Sequence, residues 1–520
     1  MVDARSYCVN MYNEWYAGHG WAIVGRASGI EVNNPAGVKH PLYTEPNDWI
    51  ECLEKYPGTT QRLWSYSLNY LVDAHKIDPD LARESLVAFY DGLAAMRGTV
   101  RKRLGESWDH CVSMRLRALT ALTGSGDEEM AELAKAFIES EKNAEDLWGL
   151  VVNNNHGLML VQSLVEASLG RYDDSPAASE AEIVLGSVKL EEIVKSVFGA
   201  DFYCNENSPF YHHFYIDRFK YMRKAFDGVE LLAQTVGALD RWIALAEKSM
   251  RGIVTPDGLI PPLGDSTEMR SPYPPATGTF FSTRTGFWVH KTDEIYVSLK
   301  CGHDSVVHKH ADDTSIFVRC NGETFIGDGG THSYDYSDKR VFTLRTQRAH
   351  SGIFFREYDE MHSARLYKGP RYNTKDWTKG RIYEPTMTDV RGVVNVGGGG
   401  MLERYLKVTG ERTFKVADRS ISFDQLTPVH RFLVPGTIGV MIDGHIMTLT
   451  GENGQLKVTF DRPVNAEIAM AEYEHPYRGW YSPKPNVFEI AQMVEIVGAD
   501  NTGCLNFECA YTPTSYSEEC

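Results

Sequence analysis

The 520-residue sequence has no run of about 18 apolar residues, so it does not predict a transmembrane helix. Its start also lacks a basic stretch followed by an apolar one, and no signal peptide is visible there. We therefore expect a cytoplasmic protein, or a periplasmic or secreted one if a leader has been removed. Positive charge is scarce as well, with 53 Lys and Arg against 70 Asp and Glu and a net charge of −17. An acidic chain is a poor general binder of nucleic acid, and an anionic ligand would need a locally basic cleft.

Cysteine is also sparse, with nine residues and no CxxC motif. A disulfide framework or a Cys-rich zinc site is therefore not expected, and buried free thiols are favoured. Apolar residues make up 42% and charged residues 24% of the chain, which is typical of globular proteins. The length suggests two to four domains at roughly 100–200 residues each.

The first half has the apolar spacing of amphipathic helices. Apolar residues recur at threes and fours from Thr60 to Ala74 and again after Pro79. Helices in series without strands between them predict stacked helical hairpins, and periodicity does not separate a toroid from a solenoid. Further helices are predicted over residues 107–123, 128–142, 146–169, 188–198 and 211–248.

The second half has the texture of a β protein. Six prolines fall within residues 255–279, and short alternating or β-branched runs follow them. Turn signals separate these runs at Asn321-Gly322, Asp443-Gly444 and Asn453-Gly454. We predict a multidomain α+β fold: an all-α domain over residues 1–260, a Pro-rich linker over 261–279 and an antiparallel β domain over 280–520.

Three polar clusters stand out, and the first contains Asn154, Asn155 and His156 within an otherwise apolar stretch. Such groups are costly to bury unless they are hydrogen-bonded. One interpretation is a helix cap, since Asn favours that position. The other is a set of donors at a helix N-terminus that faces a ligand.

The second cluster follows Ser208-Pro209, a pair typical of a helix start. In that helix Tyr211, Tyr215 and Arg218 would share one face. They form either an aromatic core stripe with an Arg at its wet end or part of a site.

The third cluster combines His308 and His310 with Asp328 and His350. If the two early histidines lie in a strand, they point to the same face. Two imidazoles and a carboxylate commonly bind zinc with an open or water-filled fourth position. The alternative is a pair of surface histidines on a sheet edge.

Together these motifs resemble the heparinase II/III-like polysaccharide lyases. The resemblance depends on the order of six segments rather than on any single one, and it is strongest over residues 150–350. The segments are NNH at 154–156, ENSPFYH at 206–212, PDGLIPPLGDS at 256–266, HKHADDTSIFV at 308–318, FIGDGGTHSY at 325–334 and RTQRAH at 345–350. The resemblance implies an incomplete (α/α) toroid followed by an antiparallel β-sandwich assembly.

The resemblance also implies roles for individual residues. Asn155 and His156 match the residues that neutralise a uronate carboxylate, and Tyr211 and His308 match the catalytic tyrosine and histidine. His310, Asp328 and His350 resemble the metal-binding residues of the family, which usually hold one structural zinc ion. We expect further substrate contacts from Asn154, His212, Tyr215, Arg218, Arg345 and Arg348.

The implied reaction is β-elimination on a uronic-acid polysaccharide. Donors must stabilise the charge that develops on the carboxylate when the proton at C5 is removed. Tyr211 can serve as both base and acid if H5 and O4 lie on one face of the sugar, and otherwise His308 or His156 is the base.

Several alternatives stay open at this point. A glycosaminoglycan of the heparan or hyaluronan type is the expected substrate, with alginate or another bacterial acidic glycan next. A zinc-dependent hydrolase or a non-catalytic glycan-binding protein could use the same residues, and the sequence leaves a homo-oligomer open.

Overall fold

The computed structural model describes residues 4–14, 22–26, 29–35, 38–56, 58–361, 363, 366, 378–396, 399–422, 426–497 and 503–514. The chain divides into two compact units. The first unit is Met1–Val197 with Arg218–Arg241, and the second is Phe198–Asp217 with Trp242–Cys520. These units are defined by compactness, and the predicted domain limits at residues 260 and 280 stay predictions. Among the described residues, no helix combines the length and apolarity needed to cross a membrane.

The first unit is built from helices, together with one small antiparallel sheet in the order β1-β2-β3. Its last two helices, α10 and α11, also contribute residues to the second unit. The sheet strands are β1 (Ala22–Arg26), β2 (Gly29–Asn33) and β3 (Lys39–Pro41). The helices are α1 (Ala4–Glu14), α2 (Pro46–Lys55), α3 (Thr59–Tyr66), α4 (Leu71–Ile77), α5 (Pro79–Leu104), α6 (Trp108–Leu122), α7 (Glu128–Ala144), α8 (Asn155–Gly170), α9 (Pro176–Val197), α10 (Pro209–Ala225) and α11 (Ala233–Ile253).

Four predicted helices differ from the structure, and one of them, predicted over residues 188–198, is the last part of α9, which begins at Pro176. The stretch Thr60–Ala74 is two helices, because Leu68 adopts a positive φ of 58° while its side chain is fully buried. Tertiary burial there overrides a continuous helical periodicity. The helix predicted from residue 146 begins only at Asn155, and the stretch 211–248 is divided between α10 and α11.

A buried ion pair fixes α6 against α8. Arg117 on α6 places its Nε 3.0 Å from Glu166 on α8, and Gln162 donates to the same carboxylate at 2.8 Å. Breaking such a buried pair is strongly destabilising, because one charge would remain without a partner. The pair therefore holds in place two helices whose first turns carry Asp109 and His156.

The second unit is built mainly from antiparallel sheets. Its five-stranded sheets have the orders β10-β9-β8-β7-β6 and β11-β16-β22-β20, the latter with β21 on β22. Its largest sheet has the order β12-β13-β14-β15-β23-β19-β18-β17, and β4 pairs with β5. The elements are β4 (Leu259–Ile260), β5 (Met269–Arg270), β6 (Gly278–Ser282), β7 (Phe287–Lys291), β8 (Ile295–Lys300), β9 (Ser315–Cys320), β10 (Glu323–Ile326), α12 (Lys339–Thr343), β11 (Ile353–Phe355), β12 (Lys379–Tyr383), β13 (Asp389–Val396), β14 (Gly400–Gly410), β15 (Thr413–Ser422), β16 (Pro428–Pro435), β17 (Gly439–Asp443), β18 (Ile446–Thr450), β19 (Gly454–Phe460), β20 (Asn465–Met470), β21 (Trp480–Lys484), β22 (Val487–Val497) and β23 (Cys504–Pro513).

One apolar core joins the three larger sheets of this unit. Leu299 on β8, Leu406 on β14 and Phe432 on β16 are all fully buried within it. The alternating burial of β13 and β19 shows one face of each strand on this core. The fold class predicted from the sequence, helices first and antiparallel sheets second, is confirmed.

Part of the proline-rich segment, residues 260–267, is buried in the second unit. Ile260 is fully buried, and Asp265 and Ser266 that follow it are buried as well. A buried carboxylate needs partners, and those partners define the site described next.

Candidate active site

Asn154 caps helix α8 in the first unit. Its side-chain oxygen accepts from the backbone N–H groups of His156 at 2.9 Å and Gly157 at 3.2 Å. Gly157 is needed for this tight entry, since a Cβ there would lie 1.7 Å from the Val152 carbonyl. The capping interpretation thus holds for Asn154, while Asn155 and His156 begin the helix itself.

His156 belongs to a small polar group within the same unit. Its Nδ1 lies 3.1 Å from Asp109 Oδ1, and its ring lies 5.2 Å from that of His110. Desolvation, followed by the charges of His156 and Arg218, helps lower the pKa of His110 to about 3. Because Asp109 accepts from one ring nitrogen, it fixes the orientation of the His156 imidazole.

Helix α10 starts at Pro209, as predicted, and its first turn is fixed in the second unit. Ser208 Oγ accepts from the backbone N–H of Tyr211 at 3.2 Å and donates to the Asp265 carbonyl at 2.9 Å. The Ser266 hydroxyl lies 2.8 Å from the same oxygen. These bonds place the Tyr211 side chain beside the Asp265 segment.

Tyr211 lies against two other groups that can transfer protons. Its ring stacks on that of His308, with centroids 3.5 Å apart and an interplanar angle of 15°. Its hydroxyl lies 2.9 Å from the hydroxyl of Tyr334, whose side chain stays 45% exposed. Burial, with a contribution from Asp265, raises the pKa of Tyr211, so this phenol keeps its proton at neutral pH.

Asp265 is the centre of this group. Its Oδ2 lies 2.7 Å from His308 Nδ1 and its Oδ1 lies 2.8 Å from His310 Nε2. Arg345 Nη1 donates to both oxygens, at 2.9 and 3.1 Å, and the Tyr334 hydroxyl donates at 3.2 Å. Burial alone would raise the pKa of Asp265, but Arg345 and the two imidazoles hold it well below its usual range.

His308 and His310 lie in a loop before β9, so the prediction that they lie in a strand is wrong. His308 itself has a positive φ of 55°. Asn207 holds this loop by donating to the carbonyls of Ser305 at 2.7 Å and Val307 at 3.0 Å. The two rings share a partner because the loop folds over Asp265, not because a strand alternates.

The predicted metal residues His310, Asp328 and His350 come together and are all buried. One ligand atom from each lies within 4.8 Å of the others. Asp328 accepts from His350 Nδ1 at 2.8 Å, while His310 Nδ1 and His350 Nε2 are buried without a hydrogen-bond partner. Two buried imidazole nitrogens without a partner suit the donor set of a zinc ion.

Two of the expected substrate contacts are buried inside the second unit. His212 donates from Nε2 to the Ala246 carbonyl at 2.9 Å and accepts the Cys204 N–H at its Nδ1, 3.3 Å away. Tyr215 donates to Glu206 at 2.6 Å, and the other oxygen of Glu206 lies 3.5 Å from His308 Nε2. Both side chains are fully buried, so here they support neighbouring groups.

The two arginines after α12 have different surroundings. Arg345 binds Asp265 and also donates to the Tyr336 hydroxyl at 2.9 Å. Arg348 donates instead to the Pro476 carbonyl at 3.3 Å and to Glu360 at 3.2 Å. Only Arg345 therefore belongs to the Asp265 group through its hydrogen bonds.

Comparison with protein families agrees with this geometry. Residues 274–424 match the family model described as "Heparinase II/III-like, C-terminal". Over these residues the chain resembles the heparinase II/III-like proteins. The resemblance drawn from its motifs is thereby confirmed, and the matched segment contains His308 and all three candidate metal ligands. No curated protein sequence matches the chain.

Solved heparinase structures share the fold. Heparan sulfate lyase HepC from Pedobacter heparinus, solved as a mutant, is 15% identical with a TM-score of 0.60, over 99% of this chain and 83% of that one. A heparinase III gene product is 14% identical with a TM-score of 0.63, over 88% and 79% of the two chains. A further heparinase III structure is 12% identical with a TM-score of 0.64, over 88% and 77%. At these identities the likeness concerns the fold.

Three members of this candidate site were not singled out from the sequence: Glu206, Asp265 and Tyr334. The signal for the two carboxylates was present, because each lies in a quoted motif among residues that favour burial. A buried acid requires partners, so Asp265 within PPLGDS could have been marked as a site candidate. Tyr334 also lies in a quoted motif, FIGDGGTHSY, but only the folded loop brings it to Tyr211.

Proposed function

We propose that this heparinase II/III-like protein is a polysaccharide lyase that cleaves uronic-acid glycans by β-elimination. The observation that carries the proposal is the contact between the Tyr211 phenol, the Tyr334 hydroxyl and the stacked His308 ring. Three groups able to transfer protons meet there beside an ionised carboxylate. Elimination needs such a group, because one proton must leave C5 and another must reach the departing oxygen.

The reaction balances without a co-reactant. A base takes the proton from C5, the electrons of that C–H bond form a C4=C5 double bond, and the C4–O4 bond breaks. O4 then receives a proton and leaves as a hydroxyl. Tyr211 is suited to give that proton, because its raised pKa keeps the phenol protonated.

The position of H5 decides which group takes it. If H5 and O4 lie on the same face of the sugar ring, Tyr211 can take H5 and pass it to O4 only as a phenolate, a form that its raised pKa disfavours. If they lie on opposite faces, His308 takes H5 and Tyr211 protonates O4. Asn155 and His156 stay the predicted donors to the uronate carboxylate, whose developing charge must be stabilised.

Zinc is the metal that we propose for His310, Asp328 and His350. When bound, it would cross-link the three loops that carry these residues, a stabilising role for a structural metal. The chain's own groups perform the proton transfers in this proposal. Metal analysis should find about one zinc per chain, as expected for a single site with three protein ligands.

Heparan-type glycosaminoglycan is the substrate class that we propose first. Its support is the set of structural neighbours, which are named heparan sulfate lyase and heparinase III. The guanidinium of Arg345 adds a positive charge beside Tyr334 and His308, although this charge already pairs with Asp265.

The test is a panel of heparan sulfate, hyaluronan, chondroitin and alginate, followed by ultraviolet absorbance and by sizing of the products. We expect a rise in absorbance from the unsaturated uronate, largest on heparan sulfate. Cleavage without that rise would indicate a hydrolase, and binding without cleavage would indicate a glycan-binding protein. Turnover of alginate alone would refute the substrate assignment but keep the reaction.

A further inference from the structure

We infer that Asp265 is a positioning residue that fixes the tautomers of two imidazoles at once, one for catalysis and one for metal binding. The inference deepens the proposed function and depends on it only where turnover is measured. Each carboxylate oxygen of Asp265 contacts a different imidazole. Oδ2 lies 2.7 Å from His308 Nδ1, and Oδ1 lies 2.8 Å from His310 Nε2.

The surroundings of Asp265 allow it only to accept hydrogen bonds. Arg345 Nη1 contacts both oxygens, and a carboxylate paired with a guanidinium in this way is ionised. An ionised carboxylate has no hydrogen to donate. The hydrogens in both imidazole contacts must therefore belong to the rings, so His308 carries one on Nδ1 and His310 carries one on Nε2.

For His310, this assignment leaves Nδ1 free to bind a metal. That atom is buried without a hydrogen-bond partner and belongs to the group formed with Asp328 and His350. Histidines that bind metals commonly donate their other N–H to a carboxylate, which fixes the ring and raises its basicity as a ligand. Asp265 has the geometry of that partner.

For His308, the same assignment turns Nε2 away from Asp265. Its Nδ1 lies 2.7 Å from Asp265 and 3.3 Å from the Tyr334 hydroxyl, its Nε2 lies 3.5 Å from Glu206, and the ring stacks on Tyr211. Without the carboxylate, the ring could rotate or change tautomer, and a proton-transferring nitrogen would be misplaced. One side chain therefore links the order of the catalytic loop to the order of the metal site.

The test compares Asp265→Asn with a matched control, Asp418→Asn. Asp418 is also buried, and it accepts from Arg404 at 2.7 Å and from His430 at 2.8 Å. Both variants replace one carboxylate oxygen by an amide that donates. Asp265→Asn should lower zinc affinity about 10–100-fold, measured by competition with a chelator, and should lower kcat about 10–100-fold with a smaller change in KM. Asp418→Asn should leave both values unchanged for the folded fraction, which circular dichroism reports.

Excess zinc separates the two effects of Asp265. It should refill the metal site of Asp265→Asn without restoring kcat, because His308 would still lack its partner. Full recovery of kcat by zinc would refute the role at His308, and unchanged zinc affinity would refute the role at His310. Equal losses in the two variants would reduce Asp265 to a general structural residue and overturn the inference.

A second measurement uses the unaltered protein, in case Asp265→Asn does not fold. Nitrogen-15 NMR of histidine-labelled protein reports which ring nitrogen carries hydrogen, with His308→Gln and His310→Gln used to assign the signals. We expect hydrogen on Nδ1 of His308 and on Nε2 of His310. A bare Nδ1 on His308 would overturn the inference. This readout is independent of turnover, so it stands even if the protein proves not to be a lyase.

Discussion

Two buried carboxylates in the second unit have almost the same partners and very different settings. Asp265 and Asp418 each pair with an arginine and accept from at least one histidine. Asp418 lies on β15 directly opposite Arg404 on β14, so the sheet itself brings the pair together. Asp265 and its partners lie in loops, and side-chain hydrogen bonds bring them together.

The two groups differ in whether the polar atoms near the carboxylate have hydrogen-bond partners and in whether a side chain reaches solvent. Arg404 also donates to the carbonyls of Thr314 and Ser351, which makes the Asp418 group a tie between strands and loops of one core. Beside Asp265, by contrast, one imidazole nitrogen of His310 is buried without a partner, and the Tyr334 side chain reaches solvent. The same chemistry therefore makes a structural tie in one place and a candidate site in the other.

The largest effect should come from Tyr211→Phe, which removes the phenol beside Asp265. Turnover should fall by about 10²–10⁴-fold, the usual contribution of a positioned acid or base. Substrate affinity and the free energy of unfolding should change little. Steady-state kinetics on the best glycan of the panel and equilibrium binding to the same glycan measure the two quantities.

Tyr511→Phe is the matched control for that substitution. This substitution also removes a hydroxyl that donates, in this case to the carbonyl of Asn453 in the turn between β18 and β19, at 2.7 Å. Its turnover should match that of the unaltered protein. Near-normal turnover of Tyr211→Phe would remove the tyrosine from the proposed reaction.

Asp418→Ala should show the opposite behaviour. Removing this acid leaves Arg404 buried without its charge partner, which should cost about 3–5 kcal/mol in the free energy of unfolding. Urea unfolding followed by circular dichroism measures the loss. Zinc content and kcat of the folded fraction should stay unchanged, and a selective loss of either would mean that the two carboxylate groups are coupled.

A smaller effect concerns pH. Burial opposes ionisation of Asp418, but Arg404 and His430 outweigh it and lower the pKa of this carboxyl. A lowered folded-state pKa contributes stability that is present above the unfolded value of about 3.9 and is lost as pH falls through the folded value. Urea midpoints measured from neutral pH downward should therefore fall less steeply below about pH 4 in Asp418→Asn than in the unaltered protein. Identical slopes would show that Asp418 does not carry this linkage.

Regular elements followed the sequence where local pattern and burial agreed. Helices α6 and α7 lie within a few residues of their predictions, since each has one clear apolar periodicity. The three turn signals all fall between paired strands. The stretch around Leu68 differs because burial of one side chain imposes a positive φ that periodicity does not reveal.

The candidate site also combines residues that the sequence predicted with contacts that it did not predict. Tyr211, His308 and the three candidate metal ligands were proposed from their residue types and order. Burying an imidazole, a phenol or a carboxylate costs free energy unless the group is hydrogen-bonded, so such groups stand out in an apolar sequence. Their mutual contacts were not found. His308 and His310 were expected to share a strand face, whereas a loop with a positive φ brings both rings to Asp265.

By itself, the sequence determined the order of helices and strands and the inventory of reactive side chains, since both are written in periodicity and residue type. Only the tertiary structure decided that Asp265 and Tyr334 join that inventory, and that Tyr215 and His212 are buried behind it. The physical reason is that a hydrogen bond depends on positions within a few tenths of an ångström. Such positions arise when loops distant in sequence pack on a common core.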